Sequence, residues 1–295
     1  MNKNVNISKK IKYLLITMRP KQWIKNSFVF AGLIFSKSFL EVNPVIKTIY
    51  AFLLFSMVSG VVYIINDTID REKDILHPTK AKRPIAAGKL KPIEAILPAF
   101  IILSITMYLA YRIEVLFFII IVSYFILVLL YSIFLKHVVI LDVVIISFGF
   151  VLRTLGGTAV IGVEISPWLI MCTTFLSLFL ALNKRKNELI LLSDEAVFHR
   201  KNLGEYTTGL IDQMLPVVTS ATIMSYSLYT FTSGKSHYMM LTIPFVLYGI
   251  FRYQYIASSE NEDGNPENML LKDTPLLINM LLWGITSIVI VFIFY

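Results

Sequence analysis

Long apolar runs decide what this chain can become. A helix needs about 20 mostly apolar residues to cross a bilayer. About nine stretches approach that length: 24–40, 45–66, 92–111, 115–135, 138–161, 166–183, 210–232, 238–257 and 275–295. Soluble domains are about a quarter charged, whereas here the charged share is 16% and the mean hydropathy +0.71. The expectation is an all-α integral membrane protein: one domain over 1–295, with about nine transmembrane helices bundled around a central cavity. Pro98, Pro216 and Pro244 fall inside candidate spans and should kink them, which neighbouring helices tolerate.

The net charge of +8 would fit a nucleic-acid partner only if the basic residues formed a surface. They lie instead in loops between apolar runs, the pattern that orients membrane proteins. Nine spans put the N-terminus, 67–91, 136–137, 184–209 and 258–274 on one face. The opposite face is left with Lys37, Lys47, Arg112 and Lys235. The positive face is cytoplasmic by this rule, so the reading is a multi-pass plasma-membrane protein with a cytoplasmic N-terminus and no nucleic acid. Residues 1–23 form an interfacial segment, with Trp23, Lys21 and Lys25 at headgroup depth, and no cleavable signal peptide is evident. The single cysteine, Cys172, reads as packing.

Where the second run ends stands Asn66-Asp67-Thr68-Ile69-Asp70-Arg71-Glu72-Lys73-Asp74. On a continuous helix Asp67, Asp70 and Asp74 share one face, with Asn66 beside them. Carboxylates stacked in this way repel one another unless something positive lies between them. Mg²⁺ binds through a few carboxylates together with substrate phosphate oxygens. The expectation is therefore a Mg²⁺–diphosphate site built from Asn66, Asp67, Asp70 and Asp74, set against the plainer reading of a solvated helix end. Arg83, in the loop that follows and stiffened by Pro84, can hold diphosphate oxygens with its planar fork. His77 reads as structural.

The sixth run ends in a second polar cluster, Asn183-Lys184-Arg185-Lys186-Asn187-Glu188. Its plain reading is positive-inside charge with a Lys184–Glu188 helix pair. Its functional reading is a phosphate clamp across a cavity from the acidic stretch. Residues 193–208 are a candidate lid, and the acidic 260–267 a solvated turn. Asp142 and Arg153 lie at or near membrane depth. About 16 Å of helical rise separates them, so they should line one cavity wall rather than pair directly. Gly149, Gly156, Gly157 and Gly162 should let their helix pack closely.

Nearly the whole chain resembles the UbiA prenyltransferase superfamily. The likeness rests on Asn66-Asp67-x-x-Asp70-x-x-x-Asp74, on Arg83-Pro84-Ile85-Ala86-Ala87-Gly88, and on polar clusters after the second and sixth helices. Typical members carry a second Asp-rich motif where this chain has Asn183 to Glu188. That departure is similar to the branch that moves 5-phosphoribose from phosphoribosyl diphosphate to a polyprenyl phosphate. Leu135-Lys136, Leu141-Asp142-Val143 and Gly149-Phe150-Val151-Leu152-Arg153 also resemble that branch. The resemblance implies a UbiA-like bundle, a Mg²⁺ cofactor, and active-site loops at 67–91 and 184–209. It also implies donor contacts from Asn66, Arg83, Asn183, Lys184, Arg185 and Glu188, with Lys136 and Arg153 as candidates for the lipid phosphate. Two rivals stand beside it: a UbiA-type transfer of a prenyl group to an aromatic ring, and a transporter of an anion using Asp142 and Arg153. Prenyl length and oligomeric state are not written in the sequence.

Overall fold

The structure is a computed structural model that describes residues 3–77, 79–192, 204–232, 237–258, 269 and 272–294. Among these, every regular element is helical. An amphipathic α1 (Lys3–Thr17) leads into a 3-10 segment (Pro20–Val29) and a short α2 (Phe30–Phe35). Then come α3 (Val42–Ile69), α4 (Arg71–Ile75), α5 (Pro92–Ile113), α6 (Val115–Ile133), α7 (Leu141–Ile161) and α8 (Pro167–Leu192). The described chain closes with α9 (Thr208–Thr232), α10 (Ile243–Ala257) and α11 (Thr274–Phe294).

Six of these, α3, α5, α6, α7, α8 and α11, are long and apolar enough to cross a membrane. The expected nine is thus not reached on that measure. Helical chain does stand at the other three places, for identifiable reasons. The first is broken between 3-10 and α geometry; α9 is diluted by Ser and Thr; α10 has 15 residues, about 22 Å of rise. The Pro244 expectation is corrected as well. α10 begins at Ile243, so Pro244 sits in its first turn, where a missing N–H costs nothing. Pro98 and Pro216 remain inside helices.

α3 and α7 form the interior: 61% and 67% of their membrane windows are buried, against 22% for α5 and α6. The outer helices turn Phe100, Ile105, Ile119, Ile126, Ile285 and Phe292 outward, the apolar surface that lipid covers. One apolar cluster joins α3, α5, α6 and α7 through Phe55, Ala110, Phe117, Tyr124 and Val160. Another joins α7 to α11 through Phe179, Leu182, Ile211, Tyr253 and Leu276.

Of the four glycines expected to let α7 pack closely, Gly156 and Gly157 do so, while Gly162 has open space beside it. A Cβ on Gly157 would stand 1.9 Å from the Val29 carbonyl oxygen, and one on Gly156 would stand 2.5 Å from the Phe55 ring. The irregular 20–35 segment can therefore lie at membrane depth because it is pressed against protein rather than lipid. Gly157→Ala should lower thermal stability by about 3 kcal/mol, the upper range for overpacking, since backbone has to move. Unfolding of the purified variant in detergent reads this; an unchanged midpoint would mean the contact is soft. α7 ends at Gly162, whose φ of 68° allows the turn in which Gly162 and Val163 N–H groups donate to Ala159 and Thr158 carbonyls.

Candidate active site

The acidic stretch is not one unbroken helix. α3 stops at Ile69, and Asp70 has φ −84° and ψ 7° before α4 begins. The backbone stays hydrogen-bonded through the bend: Asp70 N–H donates to Asn66 and Asp74 N–H to Asp70, both at 2.8 Å. Asp67 and Asp74 stay together on Arg83, while Asp70 turns to Lys136. Asp67 is 2% exposed and points inward. Its Oδ1 accepts from the Arg19 guanidinium, which also stacks on Tyr63, and from Arg83 Nη1 at 3.1 Å. That same Arg83 nitrogen donates to Asp74 Oδ2 at 2.6 Å. Asp70 instead takes Lys136 Nζ at 3.2 Å.

Arg83 is delivered by the tight turn that the Arg-Pro-Ile-Ala-Ala-Gly sequence makes. Ala87 N–H donates to the Arg83 carbonyl at 2.8 Å, and Lys89 and Leu90 N–H groups to that of Pro84. Ile85 and Leu90 are buried, and Gly88 supplies φ 68°, a conformation that favours glycine. His77 Nδ1 accepts from the Thr79 and Lys80 N–H groups.

A cavity of about 1670 Å³ runs from this region between α3, α6, α7, α8, α10 and α11. Its wall includes Asn66, Asp70, Asp74, Arg83, Lys136, Arg153, Lys184, Arg185 and Glu188. The two polar clusters, more than a hundred residues apart in sequence, therefore face one chamber. Asp67 and Asn183 are absent from that wall. Asn183 donates to the Phe179 carbonyl at 2.8 Å and borders a separate small pocket with Lys186 and Asp212. The expected donor contact from Asn183 is not assembled, because α8 turns that residue away from the chamber.

On the basic side Lys184 is about a third exposed and lies 3.9 Å from Glu188. Arg185 is 3% exposed. It pairs with Glu188, and its Nε lies 3.3 Å from Asp142 Oδ2. Asp142, 0% exposed, also accepts from the Tyr206 hydroxyl at 2.7 Å. So Asp142 and Arg153 do not pair, as expected, but they do not share a wall either: Asp142 is turned into this buried knot. Tyr206 in turn accepts from the Ile140 N–H at 2.8 Å, steadying a β-branched residue held at φ 67°. Burial, and then the Asp142 bond, push the Tyr206 hydroxyl pKa up.

Lys80 also lines the chamber. Burial lowers its ammonium pKa, and Arg83 and Lys136 push the same way against Asp74 and Asp70. So crowded a positive floor favours an anionic guest. Residues 193–203 of the candidate lid and the acidic turn at 260–267 lie outside the described residues.

Among the described residues no three His, Cys, Asp or Glu gather into a protein-only metal site. Mg²⁺ does not ask for one: it is held by one or two carboxylates plus substrate phosphates and water. Asp70 and Asp74, both on the chamber wall beside Asn66, fit that requirement; Lys136 pairs with the first and Arg83 with the second. Asp67 is committed to Arg19 and Arg83.

The family model for the UbiA prenyltransferase family matches residues 27–285. The chain belongs to that family. This UbiA protein is a multi-pass membrane transferase, and its bundle matches a solved UbiA homolog from Archaeoglobus fulgidus bound to DMAPP and Mg²⁺. That match has a TM-score of 0.73 and 19% identity, over 95% of this chain and 99% of the other. A decaprenyl-phosphate phosphoribosyltransferase from Corynebacterium glutamicum is 32% identical over 95% of this chain and 87% of its own length. One of the same name from Mycolicibacterium smegmatis is 31% identical over 92% and 89%.

Sequence reasoning overlooked Arg19, Asn26, Tyr124 and Tyr206. The Arg19-Pro20 step after an amphipathic helix was the one available hint, and it identified no partner.

Proposed function

We propose that this UbiA-family enzyme transfers 5-phosphoribose from phosphoribosyl diphosphate to a polyprenyl phosphate and releases diphosphate. It would act with Mg²⁺ at the cytoplasmic face of the plasma membrane. The observation that carries this is the pairing, in one chamber, of an acidic pole (Asp70, Asp74) with a basic one (Lys184). The donor has two ends of matching demand: a diphosphate that wants a cation, and a separate phosphate that wants an ammonium. The names of relatives at about 30% identity over most of the chain support the same choice.

In this reading Asp70 and Asp74, with Asn66, hold the metal on the donor diphosphate. When bound, Mg²⁺ supplies charge neutralisation of the leaving group. Arg83, fixed by Asp67 and Asp74, presents its fork to the remaining diphosphate oxygens. Lys184 binds the 5-phosphate, while Glu188 orients Lys184. Arg185 acts from behind, holding this turn of α8 to α7 through Asp142. The chamber fixes the anomeric carbon between leaving group and nucleophile, where in-line placement is worth much of the barrier. A lipid phosphate is already anionic, so no strong base is required, and attack opposite the diphosphate inverts C1.

Purified protein with Mg²⁺, labelled phosphoribosyl diphosphate and polyprenyl phosphate is the test. The expected result is labelled lipid and diphosphate release that depends on the lipid phosphate. Turnover only with a prenyl diphosphate and an aromatic acceptor would replace this reading with ordinary prenyl transfer. Uptake into vesicles without chemistry would replace it with transport.

A further inference from the structure

Of the three arginines on the chamber wall, Arg83, Arg153 and Arg185, Arg153 is the one that the donor scheme leaves unused. It is 8% exposed. Its Nε donates to Asn26 Oδ1 at 2.7 Å and its Nη2 to the Tyr124 hydroxyl at 2.7 Å. Its guanidinium lies 4.6 Å from the Tyr124 ring centroid and 5.1 Å from that of Phe150. Asn26 is held in turn by Ser56 Oγ at 3.0 Å. All these partners are neutral, and among the described residues no carboxylate pairs with Arg153. A guanidinium at membrane depth without a countercharge is costly. Here the cage orients it and leaves Nη1 toward the chamber. Gly149, also on the wall, places no side chain over that nitrogen, and a Cβ there would already reach 3.4 Å from it.

Depth tells which anion belongs there. Asn26 sits against Ser56 and Ser59 of α3, and Ser59 precedes Asp70 by eleven residues, about 16 Å of rise. Arg153 follows Asp142 by the same interval on α7. The cage therefore lies about three turns below the acidic pole, with Phe150 beside it. A diphosphate at Asp70, the anomeric carbon below it and a phosphate nucleophile below that fill a span of this order.

Resting on the proposed reaction, we propose that the Arg153–Asn26–Tyr124 cage seats the phosphate of the acceptor lipid, on the side of C1 opposite the leaving group. Lys136 is the poorer seat because Asp70 already engages it. The chemistry recognised is a phosphate monoester, which the donor's 5-phosphate also offers, so the test must separate the two.

Binding of a labelled short polyprenyl phosphate to the full chain in nanodiscs, without donor, needs no turnover. Phosphoribosyl diphosphate, inorganic phosphate and the parent polyprenol are the comparison ligands. Arg153→Gln should weaken lipid-phosphate binding about thirtyfold or more, the usual loss when a buried charge partner is removed, and leave phosphoribosyl diphosphate binding unchanged. Asn26→Asp keeps the shape of the cage and supplies the missing countercharge. It should raise the unfolding temperature while weakening lipid-phosphate binding. Parent-like lipid binding in either variant overturns the assignment, as does a loss confined to phosphoribosyl diphosphate. If the unaltered protein prefers the parent alcohol or neither lipid, the proposed reaction falls and this seat falls with it.

Discussion

Asp70→Asn should cut turnover by about a thousandfold while the unfolding midpoint stays within a few degrees of the parent; Asp67→Asn should do most of its damage to the fold. The contrast follows from where the bend at Asp70 sends each side chain. Asp70 is on the chamber wall, its carboxylate partly open and touched by one lysine. Losing a charge aimed at the developing leaving group costs on the order of 10²–10³ in rate, and more when a metal is lost with it. Little packing goes with it. Asp67 is buried between Arg19 and Arg83. Neutralising it leaves two guanidinium groups facing each other over an amide, about 3 kcal/mol by analogy with broken buried pairs. It also frees Arg83 from one of its two supports, so a drop in kcat accompanies the loss of stability. Steady-state kinetics beside thermal unfolding of both variants decides it. Near-normal activity in Asp70→Asn would remove the metal assignment. A stable, inactive Asp67→Asn would return Asp67 to the ligand set.

That contrast marks what could and could not be read from sequence. Asp70, Asp74, Arg83 and Lys184 were legible because charge beside a long apolar run is rare and its spacing is short-range information. The break at Asp70 was not legible because nothing between Asn66 and Asp74 interrupts a helix. No proline or glycine stands there. In the structure these acids are held by Arg19, Arg83 and Lys136, partners 48, 16 and 66 residues away. The Arg153 cage is more remote still, with Asn26 127 residues from its arginine, and an asparagine beside a lysine-rich interface carries no mark of such a role. The membrane class was plain from hydropathy, while the irregular first span, whose Val29 backbone rests on Gly157 of α7, was not. Periodicity records what a segment prefers alone, and these are contacts between segments.

The buried knot of Asp142, Arg185 and Tyr206 gives the second large effect. Arg185→Gln should cost about 3–5 kcal/mol, since it strands a carboxylate with 0% exposure. Asp142→Asn should cost less, because Glu188 still accepts from Arg185 and the amide oxygen can still accept from Tyr206. The two groups touch, so their effects should not add. In the double variant Asp142→Asn/Arg185→Gln no charge is stranded, and a coupling of about 2 kcal/mol is expected from denaturation of all four proteins. The double variant also separates structure from binding. If Arg185 serves by tying α8 to α7, the double variant regains most of the donor KM lost in Arg185→Gln. Lys184→Gln, a change at a half-open cavity residue, should instead raise donor KM about tenfold with an unaltered unfolding midpoint, as loss of one charged contact to phosphate does. A double variant that folds well yet still binds donor poorly would put Arg185 itself on the 5-phosphate. The basic pole would then hold its guest with two cations rather than one, and the neutral knot would be only the frame beneath them.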